Sequence, residues 1–298
     1  MIHIHVDVDN LWVYEQEYGI TIHKNKEYIY TQSLPVFLRL LKRSRSKATF
    51  MIIGKDLELP ACRLFCKKAI AEGHEIANHT WDHLVSFGSA SYEKKKNQIL
   101  KAHKKIAEVC GKKPVGFRGP GYYQDEEIVT ILRKLGYTYD TSVLPGFAQL
   151  LMSMYARVRG GENKDKSFGR SAYIFSPEQQ HVICGIKPNE ILPELPISVL
   201  PFLRLPIHTT FAYVFGEKYQ ELILRYLKSK PTYIVYVFHA IDFIDLPQQD
   251  SNHPVVPLRY SFTYRMSFAE KIIQALVLAN GGPLKTSRDT LMHAKLAL

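Results

Sequence analysis

The stretch Ile2-His3-Ile4-His5-Val6-Asp7-Val8-Asp9 decides the fold. It is short, apolar and β-rich, and it ends in two carboxylates. Side chains alternate faces along a strand, so Asp7 and Asp9 point one way while Val6 and Val8 point the other, into packing. Acidic residues at the C-terminal end of a buried strand are where α/β folds place their chemistry. Two carboxylates side by side repel unless a cation or an arginine compensates. Such a pair can also simply cap a loop, so the rest of the chain has to supply the compensating groups.

Outward from this strand, strand and helix signals alternate. Ser33 to Arg43 carries Leu34, Phe37, Leu38 and Leu41 at helical spacing. Ala48 to Ile53 is a strand, Cys62 to Glu72 a helix stopped by Gly73, and His74 to Asn78 a strand. A lysine-rich helix from Ser91 to Cys110 follows, then strand Val115 to Arg118, helix Asp125 to Leu135 and strand Tyr137 to Thr141. The alternation fades from Pro145 to Pro196, which reads as an insertion. It resumes with strand Ile197 to Leu200, helix Glu217 to Leu227, strand Thr232 to His239 and helix Ser267 to Ala279. About seven strands and six helices predict an α/β chain with a parallel sheet, and favour a barrel over a doubly wound sheet.

The chain has 298 residues, 46% hydrophobic and 22% charged, a globular balance. Lys plus Arg number 39 against 28 Asp plus Glu, a net charge of +11 that suits anionic partners. The cysteines, at 62, 66, 110 and 184, form no C-x-x-C pair and no disulfide framework. Cys62 and Cys66 read as buried apolar thiols. No membrane span is visible, and no basic-then-apolar leader opens the chain. If Asp7 and Asp9 are catalytic, nothing before them can be cleaved away, so a cytoplasmic protein is expected. The lysines between 94 and 113 read as a solvated helix face with Ile99 and Ile106 toward the core. They lack the interleaved aromatics of a nucleic-acid surface, and no nucleic acid is expected as partner.

Four further strand ends carry reactive residues. In Asn78-His79-Thr80-Trp81-Asp82-His83, the histidines are four apart, so one helical turn would set both imidazoles on one face. With one carboxylate they make a ligand set suited to hydrolytic zinc. Asp82, between them, would face away. In Phe117-Arg118-Gly119-Pro120-Gly121 an arginine is held between a strand and a tight turn, able to neutralise a carboxylate. Asp140 and His239 end later strands.

In this order, the residues resemble the NodB-type polysaccharide deacetylases, the fourth family of carbohydrate esterases. The motifs are Asp7 and Asp9; His79, Thr80 and His83; Arg118 to Gly121; Asp140; and Val237-Phe238-His239. The resemblance spans roughly residues 2 to 245. It implies a distorted (β/α)7 barrel, one domain over residues 1–298 with the insertion at about 145–196, and metal-dependent removal of an acyl group from a sugar. The implied metal ligands are Asp9, His79 and His83, with zinc the expected divalent ion. Asp7 would be the general base and His239 the acid that protonates the leaving amine. Arg118 would hold Asp7, and Asp140 would pair with His239. The chain departs from the family where Val8 separates the aspartates, where Thr141, Ser142 and Val143 follow Asp140 in place of an aromatic, and over Pro145 to Pro196.

The implied substrate is an N-acyl amino sugar, and a cytoplasmic enzyme meets it as a lipid-linked or nucleotide-linked precursor of a surface glycan. The size of the chain and its Asp-x-Asp and Trp-Asp-His segments are similar to deformylases of a lipid-linked aminoarabinose. Phe147, Leu150, Leu151, Met154, Tyr155 and Val158, flanked by Arg157 and Arg159, form a cation-edged apolar stripe. It suggests peripheral contact with an anionic membrane. Leu200 to Pro206 is a second apolar segment, bounded by prolines. Two alternatives remain at this level: a ring-opening amidohydrolase of a small cyclic amide on the same fold, and a sugar- or lipid-binding barrel without activity.

Overall fold

A computed structural model describes residues 1–148 and 169–296. The eight described strands are β1 (Ile2–Val8), β2 (Thr49–Ile52), β3 (Glu75–Asn78), β4 (Gly116–Phe117), β5 (Tyr139–Asp140), β6 (His181–Cys184), β7 (Ile191–Glu194) and β8 (Ile234–His239). They form a mixed sheet in the order β6-β7-β5-β4-β3-β2-β1-β8. Pairing is parallel for β1 with β8, β3 with β4, β4 with β5 and β5 with β7, and antiparallel for β6 with β7. With helices between most successive strands, this is the α/β class of the distorted barrel expected from the sequence.

The described helices are α1 (Leu11–Tyr18), α2 (Leu34–Arg43), α3 (Pro60–Ala71), α4 (Tyr92–Cys110), α5 (Glu126–Leu135), α6 (Thr209–Phe215), α7 (Glu217–Lys228), α8 (Phe262–Asn280) and α9 (Ser287–Leu296). Local chemistry sets several boundaries. The Ser91 hydroxyl accepts from the Lys94 amide at the start of α4, and the Asp125 carboxylate from the Ile128 amide at the start of α5. Gly111 and Gly136 end those helices with φ of 69° and 83°, angles that glycine adopts without steric cost.

Contacts divide the chain into two compact units. One comprises Met1–Phe50, Glu58–Glu75 and Ile207–Leu298. Strand β1 is buried along its whole length, and a cluster of rings covers this unit's core. Phe37 stacks on Phe243 at 4.1 Å between centroids and meets Phe238 at 5.3 Å. The other unit comprises Met51–Leu57 and Ile76–Pro206. Its core holds Phe87, Ile99, Phe117, Ile128, Ile131, Leu132, Tyr137 and Leu192.

Several expectations change. The sequence predicts an insertion outside the strand–helix alternation over residues 145–196, yet β6 and β7 lie within them. Asp140 is opposite Glu194 in the β5–β7 ladder, and the Leu195 amide bonds the Asp140 carbonyl. The prolines at 193 and 196 hid this strand, because proline inside a run argues against a central strand. At the expected strand Ile197–Leu200 there is only a single bridge, from Val199 to Pro206. Cys62 and Cys66 are buried thiols outside any disulfide, as the sequence predicts. Lys95 breaks the solvated face of α4: it is buried, and its ammonium contacts Asp125 Oδ2 at 2.5 Å and Glu127 Oε2 at 2.8 Å. Of the apolar stripe only Phe147 is described, half exposed and edge-on to Phe175; the rest of it lies outside the described residues. No helix among the described residues is long and apolar enough to cross a membrane.

Candidate metal centre

In the first unit, the β1–β8 ladder sets Asp7 opposite His239. Their side chains approach, with His239 Nε2 3.8 Å from Asp7 Oδ2. Both Asp7 and Asp9 are buried at the strand end, as the alternation requires. His239 is held from the turn that follows it. Its amide donates to Asp242 Oδ2 at 2.8 Å, and the Asp242 amide donates back to the imidazole. The Thr210 hydroxyl sits 3.3 Å from His239 Nδ1. Burial pushes the Asp242 carboxyl up to about 6, opposed by the neighbouring imidazole. Arg265, also buried, ties down the same turn by donating to the carbonyls of Ile241, Asp242 and Ile244.

In the second unit, His79 and His83 follow β3 in a loop, not on the helical turn expected from their spacing. Their rings lie 5.0 Å apart, edge to face. Asn78 redirects the chain: its side-chain oxygen accepts from the Thr80 amide at 2.8 Å, a local turn that competes with helix. The loop is then pinned by Gly54 and Lys55, whose amides donate to the carbonyls of Thr80 and Trp81. Gln98 Oε1 accepts from the amides of Trp81 and Asp82. Thr80 and His83 take φ of 64° and 47°. For a β-branched threonine this is a strained angle, of the kind retained where a site over-determines it.

His79 Nδ1 faces the Arg118 carbonyl at 2.8 Å. A carbonyl can only accept, so Nδ1 carries the proton and Nε2 presents its lone pair. This second contact is what a metal-binding imidazole requires. One ligand atom each from Asp9, His79 and His83 lies within 4.8 Å of the others. Two neutral imidazoles and a carboxylate fit zinc or a similar divalent ion.

Arg118 is fully buried. Its guanidinium donates to the Thr141 carbonyl at 2.9 Å and to the Thr141 hydroxyl at 3.0 Å. Asp140 is engaged by Ser142, whose hydroxyl and amide donate to its two oxygens at 2.8 and 3.2 Å, and by the carboxyl of Glu194. Glu194 occupies the place beside Asp140 because the β5–β7 register sets the two residues side by side. Sequence reading missed Glu194, although an acid inside Ile191-Leu192-Pro193-Glu194-Leu195 was a signal, since a carboxylate in an apolar run needs a partner. It also missed Asp242, whose place three residues after His239 marks it as a turn cap.

Residues 20–139 match the family model for polysaccharide deacetylase. That segment of the chain is similar to polysaccharide deacetylase domains. A peptidoglycan-N-acetylglucosamine deacetylase of Bacillus cereus is 35% identical over 123 residues, 41% of this chain and 54% of that protein. A chitooligosaccharide deacetylase of Azorhizobium caulinodans is 31% identical over 104 residues, 34% of this chain and 48% of that one. The matches thus span about half the length of these relatives. Among solved structures, a Mycobacterium smegmatis protein described as a polysaccharide deacetylase has a TM-score of 0.60 at 15% identity. That match covers 99% of this chain and 90% of the other. A family 4 carbohydrate esterase pseudoenzyme of Bacillus anthracis superimposes with a TM-score of 0.50 at 12% identity, over 97% and 64% of the two chains. These likenesses establish the fold and leave its chemistry to the site.

Proposed function

We propose that this chain hydrolyses the amide of an N-acyl amino sugar, with a divalent ion held by Asp9, His79 and His83. The observation that carries the reading is the convergence of those three ligand atoms within 4.8 Å. Support comes from a nearby carboxylate–imidazole pair, Asp7 and His239. A bound zinc would polarise the acyl carbonyl and lower the pKa of a coordinated water. Asp7, through Oδ2, takes a proton from the attacking water. His239, through Nε2, gives a proton to the leaving nitrogen as the C–N bond breaks, leaving a carboxylic acid and a free amine. Arg118 fixes the loop that follows β4, and through its carbonyl the orientation of His79.

The named relatives act on peptidoglycan N-acetylglucosamine and on chitooligosaccharides, which supports an amino-sugar substrate with an N-acetyl group. The narrower reading, a lipid-linked or nucleotide-linked precursor met at a membrane face, gains no support from the described part of the stripe. A barrel that only binds sugar would have no use for Asp7 facing His239.

The test is acetate release from N-acetylglucosamine oligomers by the purified chain. Chelation should lower the rate at least 100-fold and added zinc should restore it. An undiminished rate after complete removal of metal would rule out the metal-dependent reading.

A further inference from the structure

Two carboxyl groups that no proposed step uses are buried side by side in the second unit. Asp140 and Glu194 are register partners on β5 and β7, and neither has any exposed surface. Their hydrogen bonds can be counted. Asp140 Oδ1 takes the Ser142 hydroxyl proton, and Oδ2 takes the Ser142 amide. Glu194 Oε1 takes the Val143 amide at 2.9 Å, whereas Glu194 Oε2 is buried and meets no donor among the described residues. Two ionised carboxylates in contact inside a dry site are mutually destabilising, and such pairs share a proton. The charged and titratable groups facing the pair are Arg118 from the end of β4 and Tyr173 from the segment after residue 169. Arg118 spends two of its donors on Thr141.

We infer that Asp140 and Glu194 hold one proton between them, on Glu194, and that Glu194 is a positioning residue for the candidate metal centre. With the proton on Glu194, Asp140 remains the ionised acceptor of three donors, and no buried oxygen is left unsatisfied. Burial and the charge of Asp140 both push the Glu194 carboxyl well above the usual range, which agrees with the count. The positioning runs through a short chain of contacts. Asp140 orients the Ser142 hydroxyl, which accepts the Gly119 amide at 2.8 Å. Gly119 follows Arg118, whose carbonyl fixes His79 Nδ1. Gly119 also sits close against the Tyr123 backbone, where a Cβ would lie 2.1 Å from the Tyr123 carbonyl oxygen. Displacing Asp140 would therefore displace the carbonyl that orients His79.

This inference rests on the proposed ligand role of His79, but the proton itself is testable without it. Infrared difference spectra at pH 8 should show a protonated carboxylic acid band that Glu194→Gln removes. Glu194→Gln keeps a donor toward Asp140, so its zinc affinity and kcat should stay within about threefold of the parent. Glu194→Ala leaves Asp140 without that donor. It should lose about 10- to 100-fold in zinc affinity, the usual effect of removing support behind a ligand. It should also lose kcat more than KM. The inference is overturned if no acid band depends on Glu194, or if a folded Glu194→Ala binds zinc as the parent does. If Glu194→Ala does not fold, the glutamine variant and its spectrum decide. A parent chain that binds no zinc while showing the band would overturn the positioning role and the proposed function together, and leave the shared proton standing.

Discussion

Thr80 and His83 occupy left-handed backbone angles without being glycine, at a cost of about 1 kcal/mol or more each. The surrounding bonds make that conformation the one in which Asn78, Gly54, Lys55 and Gln98 are all satisfied. The sequence showed which residues matter here but misjudged how they are held. A spacing of four suggested a helix, and the side chain of Asn78 imposed a turn instead. The same holds for Asp140, legible as a strand-end acid but partnered by Glu194, which lies 54 positions away in a segment with no readable pattern. Asp7 is the proposed base. Asp7→Asn should retain one metal ion per chain and lose turnover by about 10² to 10⁴, the range of general acid–base catalysis. Near-parental turnover at full metal content would remove Asp7 from the role of base.

Strand β1 was legible to within a residue, because an apolar run with terminal carboxylates has few other readings. Its two histidines were not. His5 bonds the Ser287 hydroxyl at 2.7 Å, and His3 contacts the Lys285 carbonyl at 3.2 Å, so β1 is tied to the start of α9. Burial lowers the His3 imidazole to about 4. An unfolded histidine takes up a proton near 6.5, so between those values the unfolded chain binds more protons than the folded one. Stability is then fully present above about 6.5 and declines as pH falls toward about 4, by roughly 3 kcal/mol for this one group. His3→Gln should flatten that part of a denaturation-versus-pH curve; an unchanged slope would show that His3 is not the group responsible. Helices with strong periodicity, such as α2, α4 and α5, were placed within one or two residues. Among the elements that escaped were β6, whose burial alternates only weakly, and β7, which is interrupted by proline. Both depend on pairing with distant strands rather than on local pattern.

Across the whole molecule, the fold was readable because several weak motifs occurred in one order, each at a strand end. The substrate was not readable, since the surface that would select it gives no periodic signal. Fold likeness does not supply it either, since one fold hosts many chemistries. The site depends on a core assembled around Phe37, which contacts Phe50, Phe238 and Phe243. Phe37→Ala should cost about 3–5 kcal/mol in chemical denaturation, and a loss under 1 kcal/mol would contradict the packing described. The central claim is that Asp9, His79 and His83 together hold a catalytic divalent ion. Calorimetric titration of the metal-free chain with zinc, beside His79→Ala of unchanged circular dichroism, tests it most directly. The account predicts one ion per chain for the parent and none for the variant; stoichiometric zinc retained by folded His79→Ala would contradict it.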